Sequence, residues 1–171
     1  MASIKPIEKE QTNEISRSIY ESFEEKNENV PEWIKVMAHR PEILKEFTGL
    51  FKTIMEKGEI EPHLKWKIVY VISETLKCKF CVSVTVKMLK KMGASDKLLT
   101  DIKEISNLPD QEKEILDLVK DITLDGYLDN PEIMEKLKNR LTGPEIVEIV
   151  SVIGLFNYIN RFNNTFAILP D

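Results

Sequence analysis

Cys78 and Cys81 are the only cysteines in a chain of 171 residues, and they are spaced Cys-Lys-Phe-Cys in the middle of a helical pattern. With two residues between the sulfurs, a single turn at the start of a helix can bring them within disulfide distance, and the unpaired N–H groups of that turn stabilise a thiolate. The chemistry this predicts is a reversible dithiol–disulfide couple. Two scattered cysteines rarely fall three apart, which argues against a pair of buried thiols acting only as small hydrophobes. From Lys77 to Lys91 there are five lysines and no carboxylate, so the pair lies in a locally positive stretch that favours an anionic sulfur. The lysines from Lys87 onward are two or more turns away and read as a solvated face. A structural zinc site needs a second ligand pair. His39 and His63 are the only histidines and neither provides one, so no metal and no cofactor is expected.

The elements that hold this pair are punctuated by proline, whose fixed φ and missing N–H suit the first turn of a helix. Pro31, Pro41, Pro62, Pro109, Pro131 and Pro144 each precede an apolar series of helical spacing, and Gly58 and Gly93 stand where helices should stop. The pattern predicts helices at about 8 to 27, 31 to 38, 41 to 56, 62 to 76, 79 to 92, 95 to 106, 109 to 124, 131 to 140 and 144 to 165. Ile43, Leu44, Phe47, Leu50, Phe51 and Ile54 form an amphipathic stripe, while Leu64 to Thr75 is apolar on so many sides that its helix should be central. Val82, Val84 and Val86 alternate as a strand would, but Leu89 and Met92 continue the helical phase. With no hairpin signal and only six glycines, the fold class is all-α. Pro62, Leu64, Ile68 and Val71 recur at a constant offset as Pro144, Ile146, Val150 and Ile153, an echo that fits either an internally duplicated helical unit or chance.

The length suits one domain, 1–171, burying roughly 70% of its unfolded surface. A net charge of -5 argues against a general nucleic-acid binder. The apolar runs are too short for a membrane span, and the charged N-terminus lacks a signal peptide's apolar core, so a cytoplasmic location is expected. In that compartment a redox role suits two cysteines better than a static bridge.

Leu64 to Gly93, with its long apolar helix, Cys-x-x-Cys, second helix and closing Met-Gly-Ala-Ser, resembles the core of the alkylhydroperoxidase D (AhpD) and carboxymuconolactone decarboxylase family, with the Cys-x-x-Cys core at about 62–93. Ala38-His39-Arg40-Pro41-Glu42-Ile43-Leu44 is similar to an upstream segment of its peroxidase-related members, and Gly154 to Arg161 to their C-terminal helix. The resemblance implies an AhpD-like helical bundle, a homo-oligomer, and a cysteine pair that reduces a hydroperoxide or disulfide substrate and is re-reduced by a dithiol such as a lipoyl group. It assigns attack to Cys81 and resolution to Cys78, an antioxidant peroxidase role.

Two positions depart from the family pattern. Where it has a histidine four residues after the second cysteine this chain has Thr85, and where it has a relay glutamate about twelve residues before the first cysteine it has Trp66. Threonine cannot act as a base near neutral pH. The remaining candidates for support are Glu74, four residues before Cys78, and His63, if its helix ran back beneath the site; Tyr70 and Ser73 could at best orient a water. Loss of the relay also leaves open a non-catalytic helical oligomer or ligand-binding protein. Ring-opening or decarboxylation of a lactone acid is the weaker third expectation, since that branch does not depend on a cysteine pair.

Overall fold

The computed structural model describes residues 2–126 and 131–170, in which every regular element is helical. After a short 3-10 turn at Lys9–Gln11 come α1 (Glu14–Glu24), α2 (Glu32–Met37), α3 (Pro41–Glu56), α4 (Pro62–Thr75), α5 (Lys79–Lys91), α6 (Asp96–Glu104), α7 (Asp110–Asp125), α8 (Pro131–Lys138) and α9 (Gly143–Thr165). The prolines sit where their chemistry places them: Pro41 and Pro62 open α3 and α4, Pro144 is the second residue of α9, and Pro31 and Pro109 immediately precede α2 and α7. Thr142 starts α9 with a reciprocal capping box to Glu145.

The expected first helix is divided. Thr12 is extended, and the Asn13 side chain accepts the Ser16 N–H, so a new helix begins at Glu14. A capping side chain at Asn13 supplies the partner that a continuous helix would have found in the backbone. The alternating valines lie within α5, as the helical phase requires. There the buried positions are Cys81, Thr85 and Leu89, spaced by four.

α4 is the centre of the bundle. It packs on α5, α7, α9, α6 and α3, and every residue from Lys67 to Ser73 is buried. A helix with apolar residues on most sides has no solvent face to present and must be enclosed. α9 crosses α3, α4, α5, α7 and α8, burying Ile149, Val152, Ile153, Phe156 and Ile159. The sequence echo between α4 and α9 extends to packing only in part: Val71 and Ile153 are both buried, whereas Ile68 is fully buried and its counterpart Val150 is 43% exposed.

A polar staple locks α9 to the turn between α3 and α4. The Lys65 ammonium, buried with its stem, donates to Ile54 O at 2.7 Å and Lys57 O at 2.8 Å and pairs with the Glu148 carboxylate. Glu148 in turn accepts the Glu59 N–H at 2.7 Å and the Ile60 N–H at 3.3 Å. Gly58 has a φ of +130°, and a Cβ there would overlap the Glu148 carboxylate, so both backbone and space demand glycine.

Candidate functional site: a dithiol at a helix start beside an aromatic cavity

Cys78 is positioned by the way one helix ends. Lys77 takes the left-handed conformation at φ 54°, its N–H reaches Glu74 O at 3.1 Å, and the Cys78 N–H reaches Ser73 O at 3.0 Å. These two bonds make a Schellman closure of α4. The next residue already begins α5, so Cys78 is its N-cap: its sulfur accepts the Cys81 N–H at 3.4 Å, as a serine or aspartate oxygen would in that place. Cys81, one turn on, lies with its sulfur 2.8 Å from that of Cys78. Both thiols are free and buried.

The two sulfurs differ in electrostatics. The Cys81 thiol hydrogen-bonds to Cys78 and, against the cost of burial, the Cys81 and Phe80 amides add to that; together they hold Cys78 below the ordinary thiol range. Cys81 is pushed up, first by donating to Cys78 and then by burial and the neighbouring negative charge. The pair therefore holds one proton tightly and releases the other readily.

They also differ in what they face. Cys81 lies on the wall of a cavity of about 440 Å³, and Cys78 does not. Phe23, Trp33, Phe51, Trp66, Phe80 and Phe156 bring aromatic rings to its largely apolar lining, with Lys26, Lys52 and Glu56 as its charged members. Trp66 sits where the family pattern has its relay glutamate; here its indole is cavity wall, edge-on to Phe156 with ring centroids 6.2 Å apart.

Of the residues singled out from sequence, the structure brings Cys78, Cys81 and Thr85 together, with Trp66 on the same cavity wall, and sets Glu74, His63, Tyr70 and Ser73 to other partners or places. Thr85 lines the cavity, but its hydroxyl donates to Cys81 O at 2.7 Å and is occupied by the backbone. Glu74 pairs with Lys103 at 2.9 Å and hydrogen-bonds Tyr70, so its carboxylate is engaged away from the sulfurs. His63 is at the opposite end of α4, about 18 Å along the helix axis from its last residue. There, burial and the Lys67 ammonium push its pKa down. Ser73 donates to Val69 O at 2.7 Å.

Asn163 is the site residue that sequence reasoning missed. It comes from α9, is 1% exposed, lines the same cavity, and points its Nδ2 at the Cys81 sulfur from 3.3 Å. The available signal was phase: Val152, Phe156, Ile159 and Asn163 follow one helical face, so Asn163 is a polar residue on the core side of an apolar helix. Among the described residues no group of three or more His, Cys, Asp or Glu side chains is placed to hold a metal ion. None of the described helices is long and apolar enough to cross a membrane.

The all-helical bundle, with a Cys-x-x-Cys turn leading into a helix packed on its central one, has the AhpD-like fold. The carboxymuconolactone decarboxylase family model matches residues 41–108, from the start of α3 to the turn before α7, with the cysteine pair inside it, as the sequence resemblance implies. The architecture is that of the alkylhydroperoxidase AhpD core of a peroxidase-related protein from Ralstonia eutropha JMP134, at a TM-score of 0.88 and 19% identity over 99% of this chain and 92% of that one. A peroxidase-related protein from Silicibacter sp. TM1040 superposes at 0.82 with 21% identity, covering 99% and 88%. A Cys-to-Ala variant of the debrominase Bmp8 in complex with 2,3,4-tribromopyrrole superposes at 0.80 with 19% identity, covering 98% and 91%. At these identities the likeness is one of fold. No curated protein matches the chain in sequence.

Proposed function

We propose that the protein is a thiol–disulfide oxidoreductase that reduces a hydroperoxide, with Cys81 as the attacking sulfur and Cys78 as the resolving one. The observation that carries this reading is the asymmetry of the pair: one sulfur on the wall of an apolar cavity, the other 2.8 Å behind it at a helix N-terminus. Proton transfer from Cys81 to Cys78 runs along the existing hydrogen bond, uphill against the resting preference for the proton on Cys81, and stands in for the missing histidine as Cys81 attacks. The Cys81 thiolate attacks the terminal peroxide oxygen, the O–O bond breaks, and the alkoxide leaves as the alcohol with a proton from water. Cys81 is then a sulfenic acid. Cys78 loses its proton to water and attacks the Cys81 sulfur; the S–OH bond breaks and hydroxide leaves, protonated to water. In sum, ROOH and two thiols give ROH, water and a disulfide. An external dithiol, of lipoyl type by the family resemblance, restores the thiols by exchange.

Assembly as a homo-oligomer belongs to the same proposal. Ile43, Leu50, Val147, Val150 and Tyr158 on α3 and α9 are exposed apolar residues, and part of this surface forms a shallow groove. A cytoplasmic setting would keep the pair reducible.

The aromatic lining favours one second reading. A halogenated aromatic ring would suit such walls, and the debrominase of the same fold is recorded with a tribromopyrrole. The dithiol would then replace carbon–halogen by carbon–hydrogen, releasing halide and a proton and leaving a disulfide.

Reaction of the reduced protein with one equivalent of cumene hydroperoxide tests the leading reading. Both free thiols are lost together, the mass falls by two hydrogens, and the Cys81→Ser protein consumes no peroxide beyond background. A Cys81→Ser protein as fast as the parent would overturn the assignment. Thiols inert to both peroxide and thiol reagents in the native state would leave a ligand-binding helical protein in its place.

A further inference from the structure

Asn163 carries a chemical oddity. Its Nδ2 is directed at the Cys81 sulfur, but its Oδ1 is shut away from solvent with no hydrogen-bond partner. A carbonyl oxygen buried in that state is expensive to keep, and persists in a folded protein where something else completes it. Among the described residues, other buried side-chain oxygens lack a partner, at Ser16 and Asn160, while Glu148 Oε1 has the Lys65 ammonium; of the unpartnered ones only Asn163 belongs to the cavity wall. The rest of that wall near the sulfur is Phe80, Val84, Thr85, Phe156 and Ile159, with the Thr85 hydroxyl already committed to Cys81 O. The Asn163 amide, whose nitrogen is 3.3 Å from the reacting sulfur, is therefore the polar group of this wall with an atom still uncommitted, and a substrate that reaches Cys81 uses it by displacing the packing that covers the oxygen.

We propose that Asn163 is a positioning residue that reads the substrate: Nδ2 holds the Cys81 sulfur and Oδ1 accepts a hydrogen bond from an O–H on the atom next to the one attacked or on the attacked atom itself. This rests on the reading of Cys81 as the sulfur that meets substrate. It specifies the substrate class as a bulky apolar molecule with a hydrogen-bond donor at its reacting end. A tertiary or aryl hydroperoxide has that form; a dialkyl peroxide of the same size does not. The amide aligns the terminal oxygen with the sulfur through two hydrogen bonds on one rigid plane, and apolar walls hold the remainder. After attack, the same oxygen accepts from the sulfenic O–H of Cys81.

Binding of the alcohol product tests this without turnover. Trp33 and Trp66 are the chain's two tryptophans and both line the cavity, so quenching of intrinsic fluorescence reports occupancy. Reduced parent protein is titrated with 2-phenylpropan-2-ol and with its methyl ether, which has the same body and no donor. The parent binds the alcohol about tenfold more tightly. Asn163→Leu, close in volume, binds the two equally. If the leucine variant melts well below the parent, Asn163→Ala removes the same oxygen and is used instead. A parent without preference for the alcohol, or a preference that survives loss of the amide, overturns the proposal. Failure of the redox reading would show separately, as absence of the peroxide-induced disulfide in the parent.

Discussion

Two regions of the molecule bury polar side chains from the same pair of helices, α4 and α9, or their immediate continuation, and they do so in opposite ways. At the staple, Lys65 has three oxygen partners and Glu148 has an ammonium and two amides, while Gly58 gives up its side chain to make room. At the cysteine turn, the Cys78 and Cys81 sulfurs share one another, Asn163 satisfies half of its amide, and the other half is buried without a partner beside a cavity. The first is closed and has no room for a visitor. The second is incomplete until one arrives. Burial alone would have marked both as equally unusual; the difference lies in whether every donor and acceptor has been used.

This contrast can be broken most forcefully at the staple. Glu148→Ala leaves the Lys65 ammonium buried without its counter-charge and frees the Glu59 and Ile60 amides, at a cost of about 3 kcal/mol, or about 9 °C in melting temperature. Thermal unfolding followed by circular dichroism measures it, and a drop under about 2 °C would show the pair to be ornamental. Acid should expose the same dependence. Burial raises the Glu148 carboxyl, but Lys65 and the two amides outweigh it and hold it below the usual carboxylate range. Its stabilising contribution is thus present above the unfolded carboxyl pKa and is lost as pH falls through the lower folded value. In Glu148→Ala that part of the acid sensitivity disappears.

At the dithiol, thiolate absorbance against pH sharpens the comparison. One sulfur should ionise below the ordinary thiol pKa of about 8.5 and the other well above it, two separate steps from a coupled pair. Two coincident steps near the ordinary value would mean that the helix start and the shared hydrogen bond have no effect. In Cys78→Ser the low step vanishes, because Cys81 then lacks both the partner and the cap position.

The smallest effect belongs to Thr85. Because its hydroxyl bonds to Cys81 O rather than to a sulfur, Thr85→Val should cost about 1 kcal/mol of stability and leave the peroxide rate within twofold of the parent. A large fall in rate with stability unchanged would instead make Thr85 part of the proton path.

Much of the architecture was legible because local chemistry and tertiary packing agree. Proline at first turns, glycine after α3 and α5, and a helix apolar on most sides each act over a few residues, and each was met by the structure. The division at Asn13 escaped notice because an asparagine inside a helical phase differs from an asparagine capping one only by its own φ and ψ. The cysteine pair was readable for the same local reason: three residues of spacing at a helix start determine which groups meet. Glu74 and His63 were candidates on spacing along α4, and spacing could not say that Lys103 and Tyr70 would claim the one or that the other would lie a helix length away.

By itself, then, the amino-acid sequence determined an all-helical chain whose two thiols face each other across one turn, since hydrogen bonding within a turn and apolar periodicity need no distant partner. What the tertiary structure decided was which sulfur meets the cavity, that Trp66 became wall where a relay carboxylate would stand, and that an amide 82 positions beyond Cys81 completes the site. Those outcomes depend on how α9 crosses α4 and α5, and a crossing is settled by the packing of whole helix faces at once rather than by any residue's immediate neighbours.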